Sequence, residues 1–196
     1  MSGNIIEIDI ESELQKIVQQ LDSLPDQIAA PKLLKNALNS AARKVRKQMV
    51  QDVQKTYAIS RKKVLRDKSE GGPQVYPASV SNLSAAIHAR GHMQDIMTFR
   101  TRRNTKNRPA AARVLASSSL KDLEIHGIKA FLATFSSGHT AIVQREGEKP
   151  MPLKKLLSPS VPHMLNNEAV RGPAEDMTYA LLQAEIQKRI DKIRLG

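Results

Sequence analysis

The chain has 196 residues, 40% of them hydrophobic and 26% charged, with 31 Lys and Arg against 19 Asp and Glu for a net charge of +12. That length suits one core with helical extensions, the apolar content excludes a wholly disordered chain, and the basic excess points to a polyanionic or acidic neighbour. Zero cysteine removes disulfides, thiolate nucleophiles and Cys-ligated zinc together and fits a reducing cytoplasm. At 3% aromatics without Trp, the main candidates for stacking on bases are Tyr57, Tyr76, Phe99, Phe131 and Phe135.

The N-terminal MSGNIIEIDIESEL is acidic and has no basic segment ahead of a long apolar run, so neither a signal peptide nor a transit peptide is expected. From Met1 to Asp26 six acids (Glu7, Asp9, Glu11, Glu13, Asp22, Asp26) face the single base Lys16. The run Ser12 to Leu24, with Leu14, Ile17, Val18, Leu21 and Leu24, predicts a short helix that ends before Pro25. After a break from Pro25 to Pro31, Leu34, Leu38, Ala41, Val45, Met49, Val53 and Tyr57 recur every three or four residues. They mark one face of a helix of about 25 residues with Pro31 in its first turn. Ser60 stands where it would cap a further helical turn in SRKKVLRDK, and Gly71, Gly72, Pro73 and Pro77 close the helical region.

The period then changes. Leu83, Ala85, Ile87 and Ala89 alternate with Ser84, Ala86, His88 and Arg90 and predict a half-buried strand. Short strands are expected around Ala112 to Ala116, Lys129 to Phe135 and Thr140 to Arg145, the last two joined by a hairpin loop at SSGHT. The segment from Pro150 to Pro162 can be neither a continuous helix nor a central strand. It leads to a final helix from about Pro173, with a stripe of Tyr179, Leu182, Ile186, Ile190 and Ile193. Helices, then strands, then a helix predict an α+β fold, with a long N-terminal amphipathic helix packed on a small antiparallel sheet and a C-terminal helix. The expected division is 1–30 as an acidic helical extension, 31–165 as an α+β domain and 166–196 as a C-terminal helix.

Two basic blocks stand out. Lys32 to Lys68 holds twelve bases against Asp52 and Asp67, and Arg100 to Arg113 holds six bases and no acid. The second block lacks apolar periodicity and reads as a mobile arm. For the first, the bland reading is an amphipathic core helix with a solvated Lys/Arg face, and the functional one is contact with phosphates or an acidic protein surface. Candidate contact residues are Arg43, Lys44, Arg46, Lys47, Lys55, Arg61, Lys62 and Lys63, with Arg100, Arg102 and Arg103 from the second block. No helix-turn-helix, RNP-like or zinc-finger signature supplies base readout.

Catalytic constellations are not found. His88 and His92 fall on a strand that ends at Gly91, where four residues span roughly 13 Å, too far for one metal. His126, His139 and His163 are scattered, no GxSxG or glycine-rich phosphate loop is present, and Glu146 and Glu148 read as solvated turn charges. Neither an enzyme nor a cofactor, metal, membrane or small-molecule substrate is expected. Runs such as KAFLATF fall far short of the roughly 20 residues needed to span a bilayer.

The segments NALNSAARKVRKQMVQDVQKTYAISRKKV and KAFLATFSSGHTAIVQREGEKPMPLKKLLSPSVPHML together resemble the prophage minor tail protein Z family of tailed bacteriophages, related to neck and tail-completion proteins. The family pattern is a long basic helix, a strand region, an F-x-A-x-x-x-S-G-H hairpin, a basic-glycine turn and a P-x-K-x-L-x-x-P-S-V-P segment. Phe131, Ala133, Ser137, Gly138 and His139 match the hairpin and Arg145 and Gly147 the turn. Pro152, Lys154, Leu156, Pro159, Ser160, Val161 and Pro162 match the last segment. The resemblance covers roughly Leu33 to Leu165. Two positions depart from the pattern: Ser158 stands where a glycine commonly precedes PSVP, and Ala141 where a glycine is frequent after the hairpin.

The resemblance implies a structural virion protein of the phage tail, present in the host cytoplasm during assembly, that acts in tail completion or head-tail joining at the head-proximal end. Its expected partners are other tail or neck proteins and copies of itself in a closed ring of six, with non-specific contact to genomic DNA. The acidic N-terminal segment would then pair with a neighbouring subunit's basic helix. The rival expectation is a non-sequence-specific nucleic-acid-binding protein of the host cytoplasm, whose duplex or RNA affinity would fall steeply with salt.

Overall fold

A computed structural model gives the fold over residues 3–8 and 30–195, with a helix expected from Ser12 to Leu24 lying outside the described residues. The architecture is mixed α+β, with two long helices and several small antiparallel sheets. It gathers into two compact units interleaved along the chain, the first from 1–51, 73–90 and 165–196, the second from 52–72 and 91–164. The segments expected from the sequence follow chain order, whereas these units do not.

In the first unit, helix α1 (Ala30–Thr56, of which the last turn belongs to the second unit) has Pro31 in its first turn, where a missing N–H costs nothing. The whole predicted stripe is buried: Leu34, Leu38, Ala41, Val45, Met49, Val53 and Tyr57 are each at most 3% exposed. Each large apolar side chain among them contributes roughly 1.5–3 kcal/mol by leaving water. Strands β1 (Gly3–Ile8), β2 (Gln74–Tyr76) and β3 (Ala85–Ala89) form an antiparallel sheet in the order β1-β3-β2. In β3 the alternation is as predicted, with Ala85, Ile87 and Ala89 buried and Ala86 and His88 half-buried. Strand β1 was not predicted.

The unit is completed by α3 (Glu168–Leu195), which runs against β1 and buries Val170, Ala174, Leu182, Ile186 and Ile190. This helix starts ahead of the expected Pro173, because the Asn167 side chain accepts the Ala169 N–H at 3.0 Å and caps it there. Its apolar stripe is also rotated from the expected one, since Tyr179 and Ile193 are exposed.

The second unit holds the remaining strands: β4 (Gln94–Asp95), β5 (Arg100–Arg102), β6 (Ala111–Arg113), β7 (Lys121–Asp122), β8 (Glu124–Ile125), β9 (Ile128–Lys129), β10 (Phe131–Thr134), β11 (Thr140–Arg145), β12 (Leu153–Lys155) and β13 (Leu157–Ser158). They pair antiparallel as β5-β6-β7, β8-β9, β10-β11-β12 and β13-β4. Backbone hydrogen bonds join these small sheets, Ala110 N–H to Ala130 O, Leu156 N–H to Ile142 O and Ile96 N–H to Leu156 O among them. Ile96, Ala110, Ala112, Ala130 and Ile142 make the core that they enclose. A short helix α2 (Val161–Leu165) follows β13.

Two local expectations change in this unit. SRKKVLRDK forms two 3-10 turns, Lys62–Leu65 and Lys68–Glu70. Ser60 caps neither: the N-cap position of the first is Arg61, without a side-chain bond, and it is Asp67 that caps the second through Ser69 N–H at 3.0 Å. The block Arg100 to Arg113 is not a mobile arm. It is a β-hairpin of β5 and β6, and its Ala110, Ala111 and Ala112 are buried. The strand expected around Ala112 to Ala116 is β6, and what the charges hid was its partner β5, where RTR shows no apolar periodicity.

Candidate functional site

The basic helix divides into residues that hold the fold and residues that remain free. On α1, Lys44 Nζ lies 2.6 Å from Glu185 Oε1 of α3, and Arg189, one turn on from Glu185, bonds the other carboxylate oxygen. Glu185 is only 4% exposed and would be a costly buried charge without these two cations. Hydrogen bonds from Arg189, Lys44 and Ser40 outweigh burial and hold its carboxyl down at about 2. Arg189 also donates to the Asn36 carbonyl at 3.0 Å, so the cluster clamps α3 to α1.

Arg46 was expected to face outward, yet it is half-buried, and its Nε donates to the Pro73 carbonyl at 2.6 Å. On the same stretch of α1, Asn39 forms a reciprocal pair with the Ala78 backbone, accepting its N–H at 2.7 Å and donating to its carbonyl at 3.0 Å. Thus Arg46 and Asn39 tie the segment around β2 to α1. Lys55 pairs with Asp52 at 2.8 Å, Arg61 with Glu70 at 2.8 Å and Lys63 with Asp67 at 3.6 Å, while Arg102 pairs with Asp122. Lys62, Arg100 and Arg103 are exposed and in no ion pair with a described residue.

What remains of the predicted basic face on α1 is Arg43 and Lys47. They are four residues apart, hence on one side of the helix, exposed, and in no ion pair with a described residue.

The hairpin and the strand segment ahead of PSVP meet in the second unit around Asp95. The β10–β11 turn is closed by Phe135 N–H to His139 O and Gly138 N–H to Phe135 O, both 2.8 Å, with Gly138 at φ +78°. That backbone favours glycine, so the residue is set by the turn. The His139 ring stacks on Phe135 at 6.3 Å, and its Nε2 lies 3.3 Å from Lys155 Nζ and 3.9 Å from Asp95. Lys155 in turn reaches Asp95 at 2.9 Å. Leu157 and Ser158 pair with Asp95 and Gln94 in the β13–β4 ladder.

The PSVP residues begin a helix. Ser160 Oγ accepts the His163 N–H at 3.3 Å as the N-cap of α2, Val161 is fully buried, and Pro162 occupies the first turn, where no N–H is needed. Pro159 precedes the cap, half-buried. Ser158, in the position where glycine is usual, sits in an extended strand outside the left-handed region, so the departure leaves the turn intact.

The histidines keep apart. His88 lies in β3 and packs edge-on against Tyr76 at 5.4 Å, whereas His92 is an exposed loop residue of the second unit. Among the described residues no group of His, Asp and Glu has the proximity of a metal site. No helix among them is long and apolar enough to cross a membrane. Of the aromatic candidates Phe99 and Tyr57 are buried, Tyr76 packs on His88 and Phe135 on His139. Phe131 is half-buried beneath the Arg145 guanidinium, 5.8 Å from the ring centre.

Sequence reasoning missed Glu185 and Asp95, and gave Arg145 only as a match to the basic-glycine turn. An acid beside Leu182 and Ile186 on a helical stripe was a legible signal for the first. The other two are defined by partners distant in the chain. No family model matches this sequence, and neither the curated proteins nor the solved structures yield a match.

Proposed function

We propose that this chain is a structural tail protein of a phage or prophage, acting without chemistry of its own in tail completion or head-tail joining at the head-proximal end of the tail. It assembles as a closed ring, of six copies to match tail symmetry, and contacts neighbouring tail or neck proteins through basic surface. The observation that carries this reading is the role of the residues behind the resemblance. Gly138 and His139 close the β10–β11 turn with His139 beside Asp95, Leu157 pairs with Asp95 in the strand ladder, and Ser160 and Pro162 start α2, so these segments serve turns, strand pairing and a helix cap, as an assembly framework requires.

Arg43 and Lys47 present exposed charge on one side of α1, with an acidic surface of a neighbouring subunit or DNA as the partner. The test is mass spectrometry of nuclease-treated, salt-washed tails from an induced lysate. A stoichiometric presence at a few copies per tail is the expected result. Absence from tails with recovery in ribosomal or nucleoid fractions would replace this reading with that of a host nucleic-acid-binding protein.

A further inference from the structure

The second unit contains a cleft of about 370 Å³, within the size range of small-ligand pockets. Three loops build it: the tip of the β5–β6 hairpin, the β8–β9 turn and the segment after β11. Pro109, Ile128, Ala130 and Phe131 give it an apolar wall, and Arg108, Lys129 and Arg145 ring it with positive charge against the single carboxylate of Glu148. None of the three cations is in an ion pair with a described residue, and all are exposed.

The walls are fixed in place. Asn104 Oδ1 accepts the Leu132 N–H at 2.9 Å, which holds the hairpin tip against β10. His126 and Gly127, at φ 52° and 76°, form the two-residue turn that presents Ile128 and Lys129. Arg145 lies over the Phe131 ring, and a guanidinium held by its face keeps its N–H donors in plane for a ligand.

We infer that this cleft binds a phosphate group carried on an apolar or aromatic body, that is, a nucleotide, either free or within a single strand. A phosphate brings more charge and more acceptor oxygens to the three cations than a carboxylate does, and the apolar wall accommodates the attached base. The inference does not rest on the tail reading, since it concerns binding by the isolated full chain.

The experiment is fluorescence anisotropy of a labelled oligothymidylate with the full-length protein across a salt series. It compares wild type, K129Q/R145Q, R108Q and, as a control on α1, R43E/K47E. The expected result is an affinity loss of roughly tenfold or more and a shallower salt slope for the cleft variants, with a smaller change for the α1 variant. Phe131→Leu, which keeps the bulk and removes the aromatic face, should weaken binding while the thermal unfolding midpoint stays close to wild type.

Competition distinguishes the sources. Displacement by thymidine monophosphate at concentrations comparable to the strand assigns the site to free nucleotides, and displacement by oligonucleotides alone assigns it to a strand. Unchanged affinity and salt slope in K129Q/R145Q would overturn the inference. So would displacement by an acidic peptide at concentrations where neither the nucleotide nor the oligonucleotide competes.

Discussion

Glu185 shows how a single residue can turn a charge pattern from surface to structure. Its carboxylate is buried yet ionised, because Arg189 and Lys44 reach it from two helices. A carboxyl whose folded-state value is depressed stabilises the fold fully above its unfolded value near 4.5, and that contribution is lost as pH falls towards about 2. Glu185→Gln should therefore lower stability by ~1–3 kcal/mol at neutral pH and flatten the acid limb of a stability-pH profile between those values. Urea unfolding followed by circular dichroism at several pH values would show it, and an unchanged acid limb would assign the acid sensitivity elsewhere. Asn39 is a second such residue. Asn39→Ala strands the Ala78 N–H and carbonyl in a part-buried site, with an expected loss of ~1–3 kcal/mol by the same measurement.

The β5–β6 hairpin sets the prediction at the scale of an element. The sequence reading makes Arg100 to Arg113 dispensable, whereas the structure places Ala110 and Ala112 in the core of the second unit. Deleting the block should abolish cooperative unfolding of that unit, while shortening only the exposed tip at 103–107 should leave a cooperative transition; calorimetry separates the two. For α1 and α3 the elements carry complementary information. The α1 stripe is as predicted because its apolar positions form one uninterrupted face. In α3 the Asn167 cap and the buried Thr178 and Glu185 move the face away from Tyr179. Thr178 returns its hydroxyl to the Ala174 carbonyl at 2.7 Å, which lets a polar side chain lie on a buried face.

For the whole molecule, the net charge of +12 overstates the free basic surface. Lys44, Arg46, Lys55, Arg61, Lys63 and Arg102 are engaged within the chain, and of the candidate contact residues on α1 only Arg43 and Lys47 are in no ion pair with a described residue. Under the proposed function, R43E/K47E should prevent infectious particle assembly while shifting stability by no more than about 0.5 kcal/mol, since both side chains are exposed. Complementation of a deletion phage, read with a melting curve of the purified variant, tests this. Normal titres from the double reversal would show that the α1 face makes no essential contact.

By itself the sequence determined what local physics can carry: the period of α1, the alternation in β3, the extent of β11 and the glycine turn at Gly138. It also held an unused signal, Ile6 and Ile8 alternating with Glu7 where β1 forms. The charge clusters and the cleft were decided only by the tertiary structure. Arg189 meets the Asn36 carbonyl across 153 residues of sequence, and Arg108, Lys129 and Arg145 come from three separate segments. A helix or strand period is repeated within a few residues and can be read along the chain. Whether a lysine faces solvent or a buried carboxylate depends on which distant segment folds beside it.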